Sequence, residues 1–164
     1  MLDVTIRAAE AADADAIAVI YNEGIEDRLA TLETETRSAE ERRRWLAGRG
    51  LRHPVIVGEV GGRVVGWGSL NSFNPRPAYD NVADLSVYVG RDWRGRGLGH
   101  RLLEALIARG RELGYHKLVL AAFPFNAAGI TLYRRLGFVE VGVYREQGQL
   151  DGKWVDVVVM ERLL

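Results

Sequence analysis

The sequence predicts an α/β fold: a mixed, mostly antiparallel sheet flanked by helices on both faces. Three observations carry this. Strand-like apolar runs outnumber helical ones and gather as hairpins towards both ends of the chain. The middle of the chain reads strand, glycine loop, helix, strand, helix. No internal repeat or linker interrupts the 164 residues, so one domain over residues 1–164 is expected. The hairpins argue against a fully parallel, doubly wound sheet.

Taken in order, Val4 to Arg7 alternates apolar and polar residues and reads as a first strand. Asp13 then stands where an N-cap would start a helix carrying Ile17, Val19, Ile20 and Ile25. The threonine-rich "LATLETETRS" is a loop. Ser38 and Glu41 form a capping box for a second helix that packs Trp45 and Leu46 inward and ends near Gly48. Val55 to Val57 and Val64 to Leu70 are the arms of a hairpin turning at Gly61-Gly62. "NPRPAYDN" is a loop and "VADLSVYVG" the next strand. A helix with Leu98, Leu102, Leu103, Leu106 and Ile107 on one side follows and stops at Gly114. "HKLVLAAF" is a buried strand, and "NAAGITLYRRLGF" is a helix with Gly137 just past its end. The rest is a hairpin turning at Leu150-Asp151-Gly152. Trp45, Trp67, Trp93 and Trp154 read as core or interface residues rather than ligand platforms.

Composition narrows the function. Lys plus Arg (22) equals Asp plus Glu (22), which argues against a general nucleic-acid binder. There is no cysteine, so a disulfide, a thiolate metal site and a cysteine nucleophile are excluded. The three histidines, His53, His100 and His116, lie far apart, and no metal is expected. Neither a signal peptide nor a membrane-spanning apolar run is visible, which reads as a cytoplasmic protein without membrane association.

The segment "RDWRGRGLGHRL", residues 91–102, raises the sharpest question. Glycines let a backbone approach a ligand, and the helix start behind them presents free N–H groups and partial positive charge. Arg94 and Arg96 would add charge-assisted contacts to phosphates. The alternative is a helix start with arginines exposed for solubility. No lysine follows as a Walker loop requires, and the third glycine of a dinucleotide fingerprint falls on His100 or Leu102.

The remaining pattern, Arg94-Gly95-Arg96-Gly97-Leu98-Gly99 between strand and helix, resembles the acyl-CoA loop of the GCN5-related N-acetyltransferases (GNAT). "NAAGITLYRRLGF" is similar to that family's Asn-x-x-Ala-x-x-x-Tyr-x-x-x-Gly-Phe pattern and follows in the expected order. More narrowly, "YNEGI", "ATLETETRS", "PRPAYDNVADLSVYV" and "GKWVDVVVM" resemble the branch that acetylates phosphinothricin, arsinothricin and methionine sulfoximine.

The resemblance implies direct transfer of acetyl from acetyl-CoA to the α-amine of a small amino-acid-like compound. It places a glutamate where this chain has Asp84, making Asp84 the expected base. An amine of pKa near 10 carries a deprotonation cost of about 4 kcal/mol at pH 7, so a base is useful. The bland alternative for Asp84 is a strand-edge aspartate paired with an arginine. Tyr133 falls where the family protonates the departing thiolate. A phenol near pKa 10 is a weaker acid than a thiol near 8.5, so full transfer would be uphill by roughly 2 kcal/mol. Hydrogen-bond donation fits better; the alternative is a tyrosine of the core.

For acetyl-CoA, the resemblance assigns the backbone of Val87, Tyr88 and Val89 to the pantetheine. It assigns Arg94, Gly95, Arg96, Gly97, Leu98, Gly99 and His100 to the diphosphate. Asn126 is assigned to the pantetheine as well, a role compatible with capping a helix. For the amine substrate, Arg76 offers a guanidinium fork for a carboxylate or phosphinate. Tyr79 stands beside it, and Thr34, Thr31 and the turn at residues 147–153 are further candidates. An exposed loop is the alternative for Arg76 and Tyr79. The branch resemblance also implies a homodimer. Two other functions stay open: a protein or peptide N-acetyltransferase, and a non-catalytic acyl-CoA-binding module.

Overall fold

The computed structural model describes residues 2–164. Its strands are β1 (Thr5–Ala8), β2 (Val55–Val60), β3 (Arg63–Ser72), β4 (Val82–Val89), β5 (Lys117–Ala122), β6 (Val139–Leu150) and β7 (Lys153–Leu163). The helices are α1 (Ala14–Glu26) and α2 (Ala39–Ala47) between β1 and β2, α3 (Leu98–Glu112) between β4 and β5, and α4 (Ala127–Arg135) between β5 and β6. The strands form one sheet in the order β1-β2-β3-β4-β5-β7-β6. Every neighbouring pair is antiparallel except β4 and β5. The mixed sheet expected from the sequence is therefore present.

Three glycines decide how one face is covered. A Cβ at Gly58 or Gly66 would come within 2.8 Å of the Leu98 side chain, and one at Gly68 within 2.8 Å of Leu106. Their bare backbone lets α3 lie close against β2 and β3. Leu98, Leu102 and Leu106 are buried there, and Ile130 and Leu132 of α4, with Leu136 just past its end, pack on the same core. Side chains alternate along a strand, so Trp67, between Gly66 and Gly68, points to the other face. There it is buried against Ile17 and Ile20 of α1, with Trp45 and Leu46 of α2 packed on the cluster.

Two local expectations need correction. Asp13 does not cap α1 with its side chain. Its carboxylate accepts from Arg7 at 2.7 and 2.9 Å and from the Glu10 N–H at 2.7 Å, so an ion pair took it away from the helix end. Val19 is 58% exposed, because the buried stripe of α1 runs through Ile17, Ile20 and Ile25. The box at α2 forms as expected: Glu41 N–H donates to Ser38 Oγ at 3.1 Å and Ser38 N–H to Glu41 Oε2 at 3.0 Å. Among the described residues, no helix is long and apolar enough to cross a membrane.

The feature that positions the site lies between β4 and β5. Their parallel pairing comprises Val82 with Lys117, Ala83 with Leu118 and Asp84 with Val119, and then stops. Beyond Asp84, β4 follows β3 up to Val89 while β5 follows β7, and a wedge opens between them. Gly68 abuts this region from β3. A Cβ there would also sit 2.9 Å from the Ser86 carbonyl oxygen, which belongs to backbone and cannot swing aside. Gly68→Val is expected to destabilise the fold by about 2 kcal/mol or more, read as a lower urea midpoint with an unchanged slope.

Candidate active site

Two adjoining cavities occupy the wedge. The first, about 200 Å³, is lined by Asp84 and Ser86 on β4, Ala122 and Phe123 at the end of β5, and Ala30 to Leu32 between α1 and α2. The second, about 80 Å³, continues along Ser86 to Tyr88 towards Asn126 and Tyr133. Strand alternation places Asp84, Ser86 and Tyr88 on one face. Between Leu85 and Val89, β4 has a strand on one side and open space on the other.

Asp84 is the last paired residue before β4 and β5 part, and it is half-buried. Burial pushes its carboxyl up to about 6, and a hydrogen bond from Asn71 pulls the other way. No cation contributes, so the alternative of an aspartate paired with an arginine is not what the fold builds. A carboxyl titrating near 6 is ionised at neutral pH and still basic enough to accept a proton. Tyr133 faces the second cavity from α4. Burial raises its phenol above the usual value, which makes it a poorer proton donor and keeps it neutral. It can donate a hydrogen bond to charge developing nearby.

The glycine loop closes the open end. Gly95 and Gly97 take left-handed φ values of 74° and 85°, and Gly97 stands at the N-cap of α3. The N–H groups of Gly95, Arg96 and Gly97 donate to no backbone carbonyl among the described residues. Those of Leu98, Gly99 and His100 begin a helix and have no partner within it. Gly99 also lets α4 approach: a Cβ there would meet Leu132 at 3.2 Å. This ring of donors at a helix start fits a diphosphate.

Arginine contributes differently from the expected way. Arg94 donates to Asp27 at 2.7 Å and to the Val89 carbonyl at 3.3 Å. Arg91 donates to the same Asp27 carboxylate at 2.8 and 3.0 Å. The two guanidiniums hold Asp27 below the usual carboxylate range and clamp the loop to the end of α1. The Arg94 side chain is thus engaged with Asp27 and Val89. Arg96 lies over the Trp93 ring at 5.0 Å and is exposed. His100 faces Glu104 at 3.2 Å.

Asn126 caps α4, accepting from the Gly129 N–H at 3.1 Å. A Cβ at Gly129, where the family pattern has alanine, would sit 2.7 Å from Asn126 Nδ2. The cap uses only Oδ1, so the amide N–H groups are available to the second cavity.

The substrate-side candidates divide. Thr31 lines the first cavity, whereas Thr34 is exposed beyond it. Arg76 and Tyr79 lie on the exposed β3–β4 loop, with Tyr79 packed edge-on to Phe73 at 5.4 Å. Neither lines the two cavities. The β6–β7 turn closes over the first cavity: Leu32 packs against Gly148, and Arg28 pairs with Asp151 at 3.1 Å. Sequence reasoning missed Asn71, Ala30, Leu32, Phe123 and Val157. Only register and chain crossing bring these residues to Asp84. Among the described residues, no group of His, Asp and Glu could hold a metal ion.

A free strand edge for amides, a donor ring for a diphosphate and a basic carboxyl at their junction fit an acyl-CoA thioester. By class, the protein is an acyl-CoA-dependent acyltransferase. It belongs to the GNAT acetyltransferases: the family model described as "Acetyltransferase (GNAT) family" matches residues 18–138. An L-methionine sulfoximine/L-methionine sulfone acetyltransferase of Pseudomonas paraeruginosa is 36% identical, covering 98% of this chain and 94% of the relative. A phosphinothricin acetyltransferase of Sinorhizobium meliloti, solved in complex with acetyl-CoA, is 32% identical with a TM-score of 0.94, covering 99% of this chain and 89% of that one. A ribosomal-protein-alanine N-acetyltransferase of Brucella melitensis is 38% identical with a TM-score of 0.94, covering 98% and 99%. The protein is an N-acetyltransferase that uses acetyl-CoA.

Asp84 carries a stability cost that can be measured. Its folded pKa lies above that of the unfolded chain. Between those two values the folded state binds more protons, so stability falls as pH rises through the window of about 4 to 6. At pH 7.5 the full penalty is present. Asp84→Asn removes the charge and should stabilise the fold by about 1–2 kcal/mol at pH 7.5, a gain that vanishes near pH 4. Paired thermal melts at the two pH values test this.

Proposed function

We propose that the protein acetylates the α-amine of a small amino-acid-like compound of the phosphinothricin, arsinothricin or methionine sulfoximine/sulfone type. The observation that carries this reading is the first cavity. At about 200 Å³ it suits a molecule of amino-acid size, and its unpaired carboxyl stands where a backbone edge runs on to the second cavity. The loop of Ala30 to Leu32 lines it, and the β6–β7 hairpin packs on that loop through Gly148 and Asp151, which favours a compact substrate over a peptide. A charge retained against stability supports chemistry over simple acyl-CoA binding.

Acetyl-CoA, when bound, supplies an activated acetyl group as a thioester. Asp84 takes the proton of the substrate ammonium, directly or through a water. The N–H groups of Val87 to Val89 that face away from β3 hold amides and polarise a carbonyl. Backbone from Gly95 to His100 cradles the diphosphate, and Asn126 adds amide donors. Tyr133 donates a hydrogen bond to negative charge developing on sulfur. Arg76 on the exposed β3–β4 loop forms no ion pair among the described residues and is the cation this reading assigns to the substrate's carboxylate, with Tyr79 beside it. Thr31 lines the cavity, and Thr34 stands further out on the same loop.

A homodimer is part of this reading. Val139, Val141, Val143, Tyr144 and Trp154 are exposed on the β6–β7 hairpin at the end of the sheet, an apolar surface that a second copy would cover. The reading also places the protein in the cytoplasm.

A thiol-release assay with acetyl-CoA should show turnover of phosphinothricin, arsinothricin, methionine sulfoximine or methionine sulfone, and none of a peptide; turnover of the peptide alone sinks the substrate assignment. With the accepted amine, kcat/KM should fall about tenfold per unit below a pH of about 6. Asp84→Asn should lower kcat at least about 100-fold and abolish that acid limb. Tyr133→Phe should lower kcat by roughly tenfold while KM for acetyl-CoA stays put. An undiminished rate in either variant removes that residue from the reaction.

A further inference from the structure

Asn71 stands directly opposite Asp84 in the β3–β4 register, on the same face of the sheet. Its Nδ2 donates to Ser86 Oγ at 3.3 Å, and the register sets the same amide beside the Asp84 carboxyl, whose pKa it draws downward. Behind it stands Arg49, from the segment between α2 and β2. Arg49 Nη2 donates to Asn71 Oδ1 at 2.8 Å and to the Leu70 carbonyl at 2.7 Å, and Nε donates to the His53 carbonyl at 2.9 Å. The guanidinium lies over the Trp45 ring at 4.4 Å and forms no ion pair among the described residues. Two elements distant in sequence therefore converge behind the carboxyl at the apex of the wedge.

The chemistry of this contact has one solution. A guanidinium only donates, so the Asn71 oxygen must face Arg49. The amide N–H groups then face Ser86 and Asp84. Turning the amide over would set donor against donor at Arg49 and acceptor against acceptor at Asp84.

We infer that Arg49 and Asn71 are positioning residues for Asp84: Arg49 locks the orientation of the Asn71 amide, and the amide holds the carboxyl in its proton-accepting form. The inference rests on the reading of Asp84 as the base. It gives the half-buried guanidinium a purpose that packing alone does not. Burial without a carboxylate pulls Arg49 down to about 10, a cost accepted for contacts that all run to carbonyl oxygens. It also explains how a carboxyl that burial would neutralise stays usable at neutral pH: the amide donor opposes the burial.

Other groups around the cavity do not supply this effect. Tyr88 on β4 and Tyr133 on α4 are phenols that burial keeps neutral. Arg28 is paired with Asp151, Glu33 with Arg37, and Lys117 on β5 with Glu161 on β7. Asp156 on β7 accepts from the Glu146 N–H.

The test reads the Asp84 carboxyl directly, by carbon-13 NMR titration assigned with Asp84→Asn, beside the pH profile of kcat/KM. Asn71→Leu keeps the side-chain shape and removes the donor, so the Asp84 titration and the acid limb should both move upward by roughly half to one unit. Arg49→Met frees the amide to turn and should give a similar shift, with Arg49→Lys nearer the original. The double variant should shift no further than Asn71→Leu, because both changes break one chain of contacts. An Asp84 titration unmoved in Asn71→Leu overturns the inference, and an additive double variant overturns the part assigned to Arg49. If Arg49→Met does not fold, Asn71→Leu and Arg49→Lys still decide. A carboxyl that shifts while the acid limb stays still would leave the positioning intact and remove Asp84 as the base.

Discussion

The structure turns on the parting of β4 and β5 after Asp84. A strand inside a sheet normally has both edges satisfied, and an unpaired edge is a liability that folds cover or avoid. Here the ladder is interrupted after three parallel pairs, and the exposed edge of β4 lies inside the sheet rather than at its margin. α4, the α1–α2 loop and the β6–β7 turn shield it from other strands while leaving room for a ligand's amides. Asp84 sits at the apex, where paired backbone gives way to cavity.

Around this wedge, backbone and side chains divide the work. Glycines and free N–H groups make up the proposed cradle, because they can approach a diphosphate without bulk. The arginines of the same loop do structural work. Arg91 and Arg94 share Asp27, which fixes the loop to α1 and so sets where α3 begins. A cradle made of backbone needs such an anchor, since loop residues in left-handed conformations have little packing to hold them. Asp13 follows the same logic at the other end of α1, where Arg7 captures it from the helix cap.

The site also shows where stability was conceded. Asp84 is half-buried without a cation, and Arg49 is half-buried without a carboxylate. Placed against each other the two would form an ion pair, and the carboxyl would lose its basicity. Asn71 between them transmits orientation and keeps the charges from meeting. A neutral amide is suited to this because it accepts on one side and donates on the other.

Legible in one dimension are the strand and helix order, the glycine turn, the cap of α2, the leucine face of α3 and the two motifs that resemble the family's, one at the glycine loop and one along α4. Each is a short-range pattern, set by the periods of strand and helix or by the backbone freedom of glycine. Asp84, Tyr133 and Asn126 could be named as candidates because they sit at fixed offsets inside such motifs, and the structure places them at adjoining cavities. Tertiary structure alone decided the rest. That Arg94 serves Asp27, that Thr31 and Leu32 close the cavity while Arg76 lies outside it, and that Asn71 faces Asp84 all depend on register and chain crossing. Those are long-range properties: a strand's period says which residues share a face, but only the pairing of β3 with β4 says which residue stands opposite.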